Sequence, residues 1–325
     1  MEIGKWNGGR RGRFAVGLVL LTLALGLWPA RLTARAFVVQ LTTDNRKPTT
    51  LSGQILLRSF PSAPFPDASR AAGYTNNGKF FDAASHYSDS TVGIFIPAGF
   101  RPSTRRVDFL VHLHGWSNHV SQVLDRYQLR EQVAASGLNA ILIVPQGPRD
   151  AQDSGDGKLE HTRGGFAALM QDVARFLQAA GKTRTARIGR IILSAHSGGY
   201  KGASHILQIG GLTDHITDVL LFDAAYADLD GFADWQAAKK GRRLVSLFTD
   251  DTASGNLALM AALTRRHQPV AVLEAKDLAP RTLERRQALF IYTPDLPHDE
   301  TMQGRGYYGL FLRTSGKRWA VGGGL

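Results

Sequence analysis

Ser197 lies in a stretch whose residue types suit nucleophilic chemistry. In Arg190-Ile-Ile-Leu-Ser-Ala-His-Ser-Gly-Gly-Tyr200, the β-branched apolar run Ile191 to Leu193 reads as a short buried strand. It stops at Ala195-His196-Ser197-Gly198-Gly199, and Lys201 to Leu207 reads as a helix. A serine at the apex of strand, tight turn and helix, with small residues two before and two after it, has the layout of a nucleophile elbow. That turn forces strained dihedrals on the serine and projects its Oγ above the sheet. Glycine is usual at the first small position, so Ala195 implies a slightly less permissive turn. A glycine-rich strand-to-helix turn also occurs in many α/β proteins, so the serine must be judged by its partners.

A serine hydroxyl is a poor nucleophile until a base takes its proton, and the base needs an acid to orient it. The candidate base is His298, in Tyr292-Thr-Pro-Asp-Leu-Pro-His-Asp-Glu300, just after the last predicted strand. His205, His215 and His267 lie between it and the serine, while His196 is expected to point elsewhere than Ser197 does. Two sites offer the acid. Asp223 directly ends the strand Val219 to Phe222, and Asp250 and Asp251 follow the next strand. Asp223 is closer to its strand end and better fixed; the paired aspartates could equally form a solvated turn or a helix cap. Donors for the oxyanion are expected from the backbone N–H of Gly198 and from Trp116 in His114-Gly115-Trp116.

The same stretch supports a rival. His112, His114 and His119 form an H-x-H with a third histidine, and residues 112 and 114 would share one strand face. No matching carboxylate or histidine cluster stands out at another strand end, and no H-E-x-x-H occurs, so no metal ligand is assigned.

These residues need elements to hold them. Apolar runs at 91–97, 107–114, 140–145, 219–222, 244–248 and 288–292 read as strands, spaced by helical stretches at 120–136 and 165–180. Earlier, 37–42 and 54–58 could be short strands amid turn-rich sequence. Apolar strands alternating with helices argue for a largely parallel sheet covered on both faces, with ligands bound beyond the carboxyl ends of the strands. The notable polar residues fall at those ends. The loops Ser154–Gly157 and His161–Gly165 are expected to border the pocket.

The chain has 325 residues, 43% hydrophobic and 20% charged, enough for one large α/β domain. It has no cysteine, which excludes disulfides, cysteine metal ligands and a thiol nucleophile. Of the net charge of +12, residues 1–36 account for +5, and there is no dense basic run with interleaved aromatics to suggest nucleic acid. The remainder suits weak association with an anionic membrane or cell wall. Arg10-Arg11-Gly12-Arg13, the apolar run Phe14 to Trp28, and Ala34-Arg35-Ala36 are the three parts of a signal peptide over residues 1–36. The paired arginines point to the twin-arginine route and a periplasmic location; an uncleaved anchor is the alternative. Residues 37–325 form the catalytic domain in this reading.

Taken together, His114-Gly115 after an early strand, the Ala195–Gly199 elbow, aspartates after the two following strands and His298 after the last resemble the α/β-hydrolase superfamily. The resemblance spans residues 90–310. It implies a mostly parallel sheet of about eight strands flanked by helices, and acyl-transfer chemistry. Members commonly place the acid after the second strand beyond the elbow, favouring Asp250 or Asp251; others place it one strand earlier, at Asp223. The expected activity is an exported serine hydrolase, esterase-like, that cleaves an ester or amide bond with no cofactor. A non-catalytic binding protein on the same fold and a metal-dependent hydrolase are the alternatives.

Overall fold

The computed structural model describes residues 53–284 and 288–321. The expected signal peptide and the strand expected at 37–42 lie outside the described residues. Nine strands form one sheet: β1 (Gly53–Ser59), β2 (Thr91–Pro97), β3 (Val107–Leu113), β4 (Ile141–Pro145), β5 (Ile188–His196), β6 (Ile216–Phe222), β7 (Arg243–Phe248), β8 (Val270–Glu274) and β9 (Ala288–Tyr292). Their order is β1-β2-β4-β3-β5-β6-β7-β9-β8. β1 pairs antiparallel with β2, and β2 antiparallel with β4; every later pairing is parallel.

Strand alternation sorts the side chains into two cores. From β3, Phe109 and Val111 point to one face and Leu110 to the other; from β4, Ile141 and Ile143 oppose Leu142 and Val144. The first face is covered by α3 (Gly165–Ala179), α4 (Tyr200–Ile209), α5 (Asp230–Ala238) and α6 (Ala253–Arg265), through Phe166, Ile206, Phe232 and Leu259. The second is covered by α1 (Val120–Arg126), α2 (Leu129–Ser136) and α7 (Tyr307–Val321), through Val123, Val133 and Phe311. Burial on both faces explains why the central strands read as nearly continuous apolar runs.

One expectation needs correction. The helix read across 120–136 is two helices, because Gln128 adopts a left-handed conformation (φ 49°) between them. The sheet of nine strands agrees with the expected mostly parallel sheet of about eight; β8 has no clear signal in the sequence because it is an edge strand with no fully buried residue and a short, weak pattern.

Candidate active site

Turns at the carboxyl ends of β3, β5, β6, β7 and β9 converge on one edge of the sheet. β5 runs through His196, and Ser197 follows at φ 52°, a left-handed conformation that a residue with a side chain rarely takes. The turn Ser197–Gly199 leads directly into α4. Gly199 is required by closeness: a Cβ there would lie 2.5 Å from the Leu113 carbonyl oxygen. Gly115 is equally constrained, since its Cβ would fall 2.6 Å from Ser197 Cβ.

Asp223 follows β6, also with positive φ (46°), and its side chain is fully buried. His298 Nδ1 lies 2.7 Å from Asp223 Oδ2. Thr249, after β7, donates its N–H to Oδ1 at 2.9 Å and its hydroxyl to Oδ2 at 2.7 Å, and the Thr252 hydroxyl also donates to Oδ1. Burial pushes the Asp223 pKa up, but these hydrogen bonds outweigh it and hold the carboxyl below its ordinary value. His298 moves the other way. Burial lowers its pKa, while the hydrogen bond to Asp223 and the charges of Asp223, Asp299 and Asp251 raise it above 6.5 overall.

The other acidic candidates are placed differently. Asp250 accepts a hydrogen bond from the Tyr292 hydroxyl at 2.5 Å. Asp251 is exposed, with an oxygen within 4.8 Å of ligand atoms on Asp223 and His298. Among the described residues these three are the one group close enough to share an ion.

The histidines of the metal reading are not brought together. His112 is buried on Ser194 (Nδ1 to Oγ 3.0 Å), and His119 pairs with Asp150 at 2.9 Å. His114 Nε2 accepts the Gly147 N–H at 3.0 Å, so its proton sits on Nδ1, which donates to the Gly115 carbonyl at 2.8 Å. C=O and N–H point in opposite directions across a trans peptide, so fixing the Gly115 carbonyl also fixes the direction of the Trp116 N–H. Asn118 Nδ2 holds the next carbonyl, that of Trp116, at 2.7 Å.

The packing of His196 and the parts played by Tyr226 and Tyr200 had no clear signal in the sequence. His196 is buried, with its ring 4.8 Å from that of His298 and 5.1 Å from that of Tyr127. Its Nε2–H points at the His298 carbonyl, 3.4 Å away. Burial and the neighbouring His298 lower its pKa to about 4, so it is neutral. Tyr226, three residues past Asp223, turns its phenol toward Ser197; burial and the charges of Asp223 and Asp251 raise its pKa to about 12. Trp116 Nε1–H donates to Ser154 Oγ at 2.8 Å, which brings to the site the 154–157 loop expected to border it. Tyr200 packs 5.8 Å from Tyr226, completing an aromatic rim.

No protein-family model and no curated protein matches the sequence. Solved structures do. The S954A mutant of the feruloyl esterase module from Clostridium thermocellum, complexed with sinapinate, superposes with a TM-score of 0.52 at 12% identity, over 82% of this chain and 89% of that one. A structure of FAE gives 0.51 at 12% identity, over 83% and 91%. At that identity the likeness speaks for architecture, and it agrees with the strand order and parallel pairing found here. The chain has the α/β-hydrolase fold.

Proposed function

We propose that this protein is a serine hydrolase of small carboxylic esters, with Ser197 as nucleophile, His298 as base and Asp223 as the orienting acid. The observation that carries this reading is the His298–Asp223 contact of 2.7 Å, at the same sheet edge as a serine held at φ 52°. With Nδ1 engaged by Asp223, His298 Nε2 is the nitrogen that takes the Ser197 proton as Oγ attacks the ester carbonyl. The backbone N–H groups of Gly198 and Trp116 stabilise the oxyanion. His298 then returns the proton to the departing alkoxide, and water releases the acyl group by the same steps. This chemistry needs no metal or cofactor.

The rim of Trp116, Tyr200 and Tyr226 favours esters with a flat acyl group, and the likeness to a feruloyl esterase module bound to sinapinate supports the same class. Arg10-Arg11, the apolar run and Ala34-Arg35-Ala36 support export, with a periplasmic location.

The test is intact-mass analysis after treatment with a fluorophosphonate, beside Ser197→Ala. A single adduct on the wild type that is absent from the variant supports the reading. No adduct on folded wild-type protein, or the same adduct on Ser197→Ala, overturns it.

A further inference from the structure

The edge of the sheet opposite the candidate site is strongly basic. It is formed by the segments that lead into the parallel strands. Three acids there are each matched by two cations, Asp108 by Arg106 and Arg190 (3.7 and 3.5 Å), Asp214 by Lys239 and Arg242 (3.6 and 3.4 Å), and Asp218 by Arg243 and Arg318 (2.7 and 2.6 Å), while Glu284 pairs with Lys317 at 3.1 Å. Arg101, Arg105, Arg184, Arg187, Lys240 and Arg313 are left exposed, with no carboxylate partner among the described residues. Two open depressions run along this edge. One of about 340 Å³ includes Arg105, Arg187 and Lys239, and one of about 540 Å³ includes Arg101, Arg190 and Arg313.

The unpaired acids lie at the other end. Asp228, Asp250, Asp251, Asp295 and Glu300 are exposed around the carboxyl ends of the strands and form no ion pair among the described residues. The domain therefore carries a charge separation along its strands, and an anionic surface would attract its base and repel its candidate active-site edge.

The chain path leads to the same edge. Gly53, where β1 starts, pairs with Pro97 at the end of β2, and β2 runs antiparallel to β4 so that Phe95 already faces Leu142 near the start of β4.

We propose that this basic edge docks on an anionic phospholipid surface and turns the opposite edge, with Ser197, away from the bilayer. Unpaired cations spread along a sheet edge suit an extended plane of headgroups. The proposal is independent of the hydrolase reading, because its test measures no turnover.

The test is co-sedimentation of the full chain with phosphatidylcholine vesicles, with and without about one third phosphatidylglycerol. Wild type is compared with Arg105→Glu/Arg187→Glu/Arg313→Glu and with a charge-matched control, Lys79→Glu/Arg163→Glu/Lys276→Glu. A basic residue near such a surface is worth about a fivefold factor, and each glutamate adds repulsion, so the basic-edge variant should bind anionic vesicles at least about a hundredfold more weakly. The control should stay close to wild type, and high salt should weaken wild-type binding. Circular dichroism melting checks that each variant is folded. Equal binding by the basic-edge variant, an equal loss in the control, or salt-insensitive wild-type binding to neutral vesicles would overturn the proposal. So would binding to soluble heparin with none to vesicles.

Discussion

Asp223 and Asp251 both reach the neighbourhood of His298, but only Asp223 is fixed there. Two threonines and a backbone N–H saturate the oxygens of Asp223, whereas Asp251 is exposed. A carboxylate held in this way keeps its charge and fixes the tautomer of the imidazole; a solvated one contributes only a field. Asp223→Asn should therefore lower kcat by about 10⁴-fold, since an amide cannot stabilise the imidazolium. Asp251→Asn should leave kcat within a few-fold and instead move the pH profile. In the proposed mechanism His298 acts as base only when neutral, so kcat/KM should fall as pH drops through its pKa, which the carboxylates raise above its ordinary value. Removing the Asp251 charge weakens that bias, and the midpoint should shift to lower pH. A large loss of kcat in Asp251→Asn with only a mild effect in Asp223→Asn would reverse the two roles.

At the scale of elements, His298 lies on a loop and takes its position from neighbours. Below its ring is His196, the last residue of β5, and below that Tyr127, just after α1. The residue after His298, Asp299, is tied to Arg126 at 2.5 Å and accepts from the Tyr127 hydroxyl at 3.2 Å. His196→Ala removes the ring beneath the base and should cost on the order of 10²-fold in kcat, with KM little changed. His196→Phe keeps a stacking surface and should recover most of the loss. Equal losses in both would show that the Nε2–H bond to the His298 carbonyl, rather than the stack, matters. The strands that carry these residues were legible because burial on both faces writes itself as apolar runs ending in polar residues. The stack was not, because His196 and His298 are 102 positions apart and meet only through the fold. Thr249 shows a similar limit. As a local signal it marks a turn, and it does cap the turn before Asp251, but its hydroxyl also reaches Asp223 across the strand ends.

Over the whole molecule, a fully buried ion pair joins the sheet to the C-terminal helix. Arg243, at the start of β7, donates to Asp218 of β6 at 2.7 Å, to the Leu283 carbonyl at 2.6 Å, and to Thr314 and Ser315 of α7 at 2.8 and 2.6 Å. Arg318 of α7 meets the same Asp218 from the other side. Such a pair adds little over well-packed apolar residues, but removing one partner leaves the other charged and buried. Arg243→Met should therefore destabilise the protein by about 3 kcal/mol, at the low end of such losses because Arg318 still faces Asp218. In a domain of this size that lowers Tm by roughly 6–12 °C. Arg243→Lys should fall between, since a single ammonium cannot reproduce the forked donors of a guanidinium. The six residues of β7 place Arg243 about 20 Å from the Asp223–Thr249 contact. Fluorophosphonate labelling of the folded variant should therefore proceed at the wild-type rate while its melting curve shifts. A slowed reaction would mean that the anchoring of α7 also sets the geometry of the candidate site.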